Sequence, residues 1–224
     1  LKVGPVIQDD LFAILLRFRQ YDHVLTGDVE KMYRQVNVDE VDRHLQRIIW
    51  RFDQNSEFEH YVLNTVTYGT ASASYLATKC LQHSTIGFES HYPEGCHKIL
   101  NDFYVDDFIS GCNSFDEALR LKDDITGILK QSGFALRKWN SNNKNILYTN
   151  TNDQPNEIDN SNFQITDNKE QKILGVLWDS NKDILKYTLH DEAFFIAKIT
   201  KRSILSFIAK VFDCLLYTSP SPRD

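Results

Sequence analysis

Three aspartates carry the chemistry this sequence offers. Asp106 and Asp107 stand together in Phe103-Tyr104-Val105-Asp106-Asp107-Phe108. Ile99-Leu100 before them and Phe108-Ile109 after read as short strands, with the acidic pair at the bend. Neighbouring carboxylates raise each other's pKa unless a cation compensates. Mg²⁺, which prefers hard oxygen ligands, suits that task; the alternative is a solvated acidic turn. The third, Asp28, closes the strand-like run His23-Val24-Leu25-Thr26-Gly27-Asp28-Val29, with an aromatic, Tyr33, five residues on. Its alternative role is to cap the following turn. If Asp28 and Asp106 converge, they can bridge two Mg²⁺ ions about 3.5–4 Å apart, the arrangement that serves in-line phosphoryl displacement. The backbone carbonyl of Val29 would be a further oxygen ligand.

The elements that must bring these acids together can be read from spacing. Leu11, Ile14, Leu15 and Phe18 recur at helical intervals behind Asp9 or Asp10 as cap. Asp39 to Trp50 reads as an amphipathic helix, with Val41, Leu45, Ile48 and Ile49 on one face. A turn at Gln54-Asn55-Ser56 precedes a β-rich run, Tyr61 to Thr67, which leads to the break at Tyr68-Gly69. Small residues from Ala71 open a helix to about His83. Ser114 and Glu117 form a capping box for a helix burying Ala118, Leu121, Ile125, Ile128 and Leu129, stopped by Gly133. Phe134 to Trp139 is a strand with Lys138 near its end, and the asparagine-rich stretch 140–172 is a loop with short strand pieces. Ile173 to Trp178 and Ile184 to Leu189 flank a hairpin turn at Ser180 to Asp183, and a helical region runs from Asp191 to about Phe212. The resulting order predicts an α+β fold, an antiparallel sheet with helices on one face.

Composition narrows the classes. With 224 residues, 42% hydrophobic and 12% aromatic, the chain can bury a real core. A net charge of −6 means that any nucleic-acid surface must be local or lie on other parts of a larger protein. The four cysteines form no CxxC pair and suggest reduced thiols. Cys80, His83, His91, Cys96 and His97 match none of the usual zinc spacings. The apolar segment from Phe194 to Phe212 is broken by four basic residues, so no membrane span is expected.

Taken together, the motifs resemble the reverse transcriptases. Tyr104-Val105-Asp106-Asp107 is similar to that family's catalytic hairpin, and Asp28 with Tyr33 to its first aspartate motif. Tyr68-Gly69 with the small-residue helix resembles the second motif, Gly133 to Asn142 the fourth, and Leu174-Gly175-Val176-Leu177-Trp178 the primer-grip hairpin. The phrases from Gly27 to Val36, Leu136 to Trp139 and Ile173 to Trp178 look most like the Pao (BEL) branch of long-terminal-repeat retrotransposon polyproteins.

The resemblance implies a ferredoxin-like palm with partial fingers and an RNA-directed DNA polymerase activity. It implies Asp28, Val29, Asp106 and Asp107 as ligands of two Mg²⁺ ions (Mn²⁺ as substitute), with Lys138 as general acid. Tyr33, Gln35, Tyr68 and Gly69 would meet the nucleotide, and Leu174, Gly175 and Trp178 the primer. Tyr68 replaces the glutamine of retroviral enzymes. The implied partners are an RNA or DNA template–primer, dNTPs and the rest of a Pol polyprotein: upstream fingers, thumb, RNase H and integrase. The implied setting is a cytoplasmic retrotransposon particle, or the nucleus. The division expected is partial fingers over 1–20, palm over 21–36, a fingers insertion over 37–70 and palm over 71–190. The thumb would start over 191–213, and 214–224 is a foreign-looking tail expected to be disordered. Without its missing parts the chain should be inactive or weak. The alternatives are a non-enzymatic remnant that binds nucleic acid and, less simply, a palm-fold nucleotidyl cyclase.

Overall fold

The computed structural model describes residues 2–148, 170–173, 176–186 and 200–202. Helix α1 (Leu11–Phe18) starts at Asp10, whose carboxylate accepts the Phe12 N–H at 2.7 Å. Strand β1 (His23–Val29) follows, then the short helices α2 (Met32–Gln35) and α3 (Glu40–Arg43), and a ribbon of β2 (Arg47–Trp50) and β3 (Glu59–Val62). Helices α4 (Ala73–His83) and α5 (Pro93–Asn101) lead into strands β4 (Phe103–Tyr104) and β5 (Asp107–Cys112). Helix α6 (Phe115–Gln131), strand β6 (Leu136–Ser141) and helix α7 (Asn145–Tyr148) come next, then β7 (Glu170–Ile173), β8 (Val176–Asp179) and β9 (Ile184–Lys186).

The central sheet is antiparallel and ordered β4-β5-β1-β6. Its middle strands are buried on both faces, and alternation sorts their side chains between two cores. Leu25, Val29, Phe108 and Cys112 join Ala118, Leu121, Ile125, Ile128 and Leu129 of α6 and Ala77 and Leu81 of α4. Val24 and Ile109 point the other way, onto Leu11, Ile14, Leu15 and Phe18 of α1 and onto Trp178 of β8. The arrangement is therefore α+β as expected, but helices cover both faces, because α1 and the β8 strand take the second.

Two local readings are corrected. Asp39 does cap a helix, accepting the Val41 N–H at 3.0 Å, but that helix ends at Arg43. The β-branched and aromatic run Arg47–Trp50 pairs with Glu59–Val62 instead of extending it. The expected apolar face finds no core: Val41, Leu45, Ile48 and Ile49 are all exposed. Upstream of the acidic pair, Ile99 and Leu100 lie in α5 and not in a strand; Pro93 at the first helical turn is the start signal. The strand reduces to Phe103–Tyr104. The hairpin about Ser180 to Asp183 is present between β8 and β9, and β7 adds a third strand. Leu174, Gly175, the tail 214–224 and all of the expected thumb helices except 200–202 lie outside the described residues.

Candidate active site

Strand register brings two of the three acids together. Asp28 of β1 is the direct cross-strand partner of Asp107 of β5. The Val29 N–H donates to the Asp106 carbonyl at 2.9 Å, which makes the adjacent Asp28–Asp107 pair a non-hydrogen-bonded one. Side chains of such a pair share a face, with Cβ atoms about 4.5–5.5 Å apart. That face is the one α1 covers further along the sheet, where Val24 and Ile109 are buried. The Val29 side chain is wholly buried on the opposite face, which pins the strand end from which Asp28 projects.

Asp106 occupies the hairpin turn with Val105, whose φ of 55° is left-handed. A β-branched residue there is an outlier in a place that ordinarily takes glycine, and such strain costs on the order of 1–3 kcal/mol. Phe103 and Phe108 at the base of the hairpin pack at 5.1 Å between ring centroids, and Trp139 meets Phe108 edge-on at 5.8 Å.

Lys138 reaches the acids through a bulge. Between the pairs Thr26↔Asn140 and Asp28↔Arg137, β1 advances two residues while β6 advances three. Lys138, at φ 53°, lies within the longer stretch, and its Nζ donates to Asp28 Oδ2 at 3.0 Å. Next to it, Arg137 Nε donates to Glu30 Oε2 at 2.6 Å, and that ion pair holds Glu30 below the usual carboxylate range. The local field is that of crowded acids. Burial pushes Asp107 up to about 7, with Asp106 and Asp28 adding to the rise and Lys138 opposing it. Burial also raises Asp106, and the charge of Asp28 adds to it. Lys138 is raised in turn, first by its hydrogen bond to Asp28.

These donors suit Mg²⁺. Among the described residues no three His, Cys, Asp or Glu side chains close into a ready metal cage. Mg²⁺ asks for less: it is held by one or two carboxylates, keeps several waters and shares substrate phosphates. Two carboxylates across a strand pair, a third on the turn and an ammonium already placed on Asp28 mark a spot that attracts positive charge. The cysteine and histidine group weighed for zinc forms no such cluster among the described residues.

A second group lies beyond Asp28 along the chain. The rings of Tyr33 and Tyr68 pack at 4.7 Å, and the Arg34 guanidinium lies 6.0 Å from the Tyr68 ring. Gly69 follows at φ 81°, with open space where a side chain would stand. Gln35 is turned elsewhere: its Nε2 donates to the Glu30 carbonyl at 2.8 Å and closes the loop after β1. Of the residues expected at the primer grip, Trp178 is fully buried, edge-on to Phe18 at 5.3 Å, with Nε1 donating to Asp183 Oδ1 at 3.0 Å. It anchors the hairpin to α1.

Sequence reading missed the ionic anchor beneath the acids. Asp102, buried just before β4, accepts from Arg17 Nε at 2.9 Å and from Ser110 Oγ at 2.5 Å, with Lys98 Nζ at 3.5 Å. Lys98 also donates to the Tyr21 hydroxyl at 2.8 Å and the Gly111 carbonyl at 3.2 Å. The Arg17 guanidinium further donates to the Asn101 carbonyl. The i, i+4 spacing of Lys98 and Asp102 was a usable signal; the distant partners gave none.

A sheet of this order, with acids from two neighbouring strands at one end, defines the palm class of fold. The family profile "Reverse transcriptase (RNA-dependent DNA polymerase)" matches residues 6–177, and the chain belongs to that family. Its fold is similar to the foamy viral protease–reverse transcriptase solved with double-stranded DNA, at TM-score 0.60 and 14% identity over 94% of this chain and 30% of that one. It is also similar to the foamy viral protease–reverse transcriptase solved with an RNA/DNA hybrid, at TM-score 0.57 and 13% identity over 94% of this chain and 23% of that one. The chain thus spans less than a third of either protein. No curated protein matches the sequence.

Proposed function

We propose that this chain is the palm-centred part of an RNA-directed DNA polymerase from a Pao/BEL-type retrotransposon Pol polyprotein, extending a DNA primer on an RNA or DNA template in a cytoplasmic particle. The observation that carries the reading is the pairing of Asp28 with Asp107 across β1 and β5, with Asp106 on the adjoining turn and Lys138 brought onto Asp28 by a bulge. Mg²⁺, or Mn²⁺ in its place, supplies when bound the Lewis acidity that activates the primer 3′-hydroxyl and neutralises the leaving pyrophosphate. Asp28 and Asp106 would hold the cations, with Asp107 beside them. Tyr33, fixed by Tyr68, faces the incoming sugar and bars a 2′-hydroxyl; the space over Gly69 admits the nucleotide. Lys138 transfers from Asp28 to the pyrophosphate and donates its proton there. The catalytic power of the assembly comes from position and charge.

The test is dTTP incorporation on poly(rA)/oligo(dT). The chain alone should add nucleotides weakly and distributively, and Asp106→Asn should abolish the addition. Robust processive synthesis by the chain alone would overturn its dependence on the rest of the polymerase. Where the chain does add nucleotides, equal addition by Asp106→Asn would overturn the catalytic assignment, and template-free conversion of ATP to a cyclic product would replace it with a cyclase.

A further inference from the structure

We propose that the segment ahead of α1 is a clamp on the acidic hairpin, with Gln8 as its positioning residue. A left-handed valine persists in a turn only where its surroundings over-determine it. At this turn the grip comes from two sides. The Val105 N–H donates to Gln8 Oε1 at 3.1 Å, and the Asp106 carbonyl accepts the Val29 N–H at 2.9 Å. One contact comes from β1 within the sheet. The other crosses from a stretch that belongs to no helix or strand.

That stretch is itself held in place. Gln82 of α4 donates from Nε2 to the Ile7 carbonyl at 2.7 Å. Gly4 lies so close to Tyr75 of α4 that an added Cβ would stand 2.1 Å from the ring's Cγ, so the backbone rests directly on the aromatic. Beyond Gln8 the chain enters α1 at its Asp10 cap, and Arg17 on the same helix binds Asp102 and the Asn101 carbonyl at the root of β4. The hairpin is therefore held from the N-terminal side at both its root and its tip. Gln8 acts through the Val105 amide: by fixing the turn, it sets where the Asp106 carboxylate stands relative to Asp28. This consequence rests on the cation-binding reading of the acids; the clamp itself does not.

Hydrogen exchange read by mass spectrometry, together with Mn²⁺ binding read from the free-ion spin-resonance signal, tests it on the full chain. In Gln8→Ala, exchange of the peptide spanning 104–107 should quicken about fivefold, the scale of one hydrogen bond, while α6 peptides stay unchanged. Mn²⁺ affinity should fall by a similar factor. Gln8→Glu, which keeps an acceptor for the Val105 N–H, should restore the protection. Val105→Gly, which tolerates the left-handed conformation, should shrink the effect of Gln8→Ala. Unchanged exchange in Gln8→Ala, or equal loss in the alanine and glutamate variants, would overturn the clamp. If exchange responds to Gln8→Ala but the unsubstituted chain takes up no Mn²⁺, the clamp stands and the cation reading falls.

Discussion

The β4-β5-β1-β6 sheet and the β2–β3 ribbon are both antiparallel and both rich in β-branched and aromatic residues, yet they meet water in opposite ways. In the sheet, Val24, Leu25, Val29, Phe108 and Ile109 are all at most 1% exposed. In the ribbon, Ile48, Ile49, Trp50 and Val62 range from 43% to 60% exposed, and Phe52 beyond it reaches 84%. Two strands with neither face covered have little to stabilise them in isolation, whereas a sheet packed on both faces holds its strands in place. The Asp28–Asp107 pair sits at the rim of the packed sheet. Asp28 and Asp107 are held at a set separation because the residues beside them along the strands, Val29 and Phe108, cannot move without breaking the core.

The contrast can be broken by substitution. Phe108→Ala removes a fully buried ring that touches Phe103 and Trp139, and should cost about 3–5 kcal/mol in urea denaturation. Asp102→Ala strips the partner from Arg17 and Lys98 in a buried site and should cost about 3 kcal/mol or more, read the same way. A milder test uses pH. Asp107 keeps its proton up to about 7 in the fold, while an ordinary aspartate releases it near 3.8. Between those values the folded chain binds more protons than the unfolded one, so stability falls as pH rises through that window. Urea midpoints taken in EDTA at pH 5 and pH 7.5 should show the fall, and Asp107→Asn should flatten it. At the small end, Trp50→Ala in the ribbon should shift stability by no more than about 0.5 kcal/mol. A cost comparable to that of Phe108→Ala would mean that the ribbon has a packing partner of its own.

How much of this the sequence disclosed depends on whether a feature is local. The run from His23 to Val29 announced a strand ending in a carboxylate, and the Ser114–Glu117 box announced α6, where Ser114 Oγ accepts the Glu117 N–H at 3.3 Å. The reading of Asp39 to Trp50 failed because helical spacing of apolar residues says nothing when none of them is buried; the β-propensity of Ile48-Ile49-Trp50, paired with Tyr61, His60 and Glu59, prevailed. Ile99 and Leu100 misled because a short apolar run beside a hairpin fits strand and helix alike, and Pro93 was the better guide. The second covered face was implicit in consecutive apolar residues along β1, since a strand with one wet face would alternate. Lys138 was legible as a residue but its bulge was not, because register emerges only when two distant strands pair. Gln8 had no signal at all, since its contact lies across 97 positions of chain.

We propose that Asp28, Asp106 and Asp107 form one cation site. Calorimetric titration of Mg²⁺ into the unsubstituted chain, into Asp28→Asn and into Asp106→Asn measures it directly. Binding should be saturable, and each substitution should weaken it about tenfold or more, consistent with the cost of disturbing a metal's ligands. Equal Mg²⁺ binding by all three proteins would contradict it and leave the hairpin a solvated acidic turn.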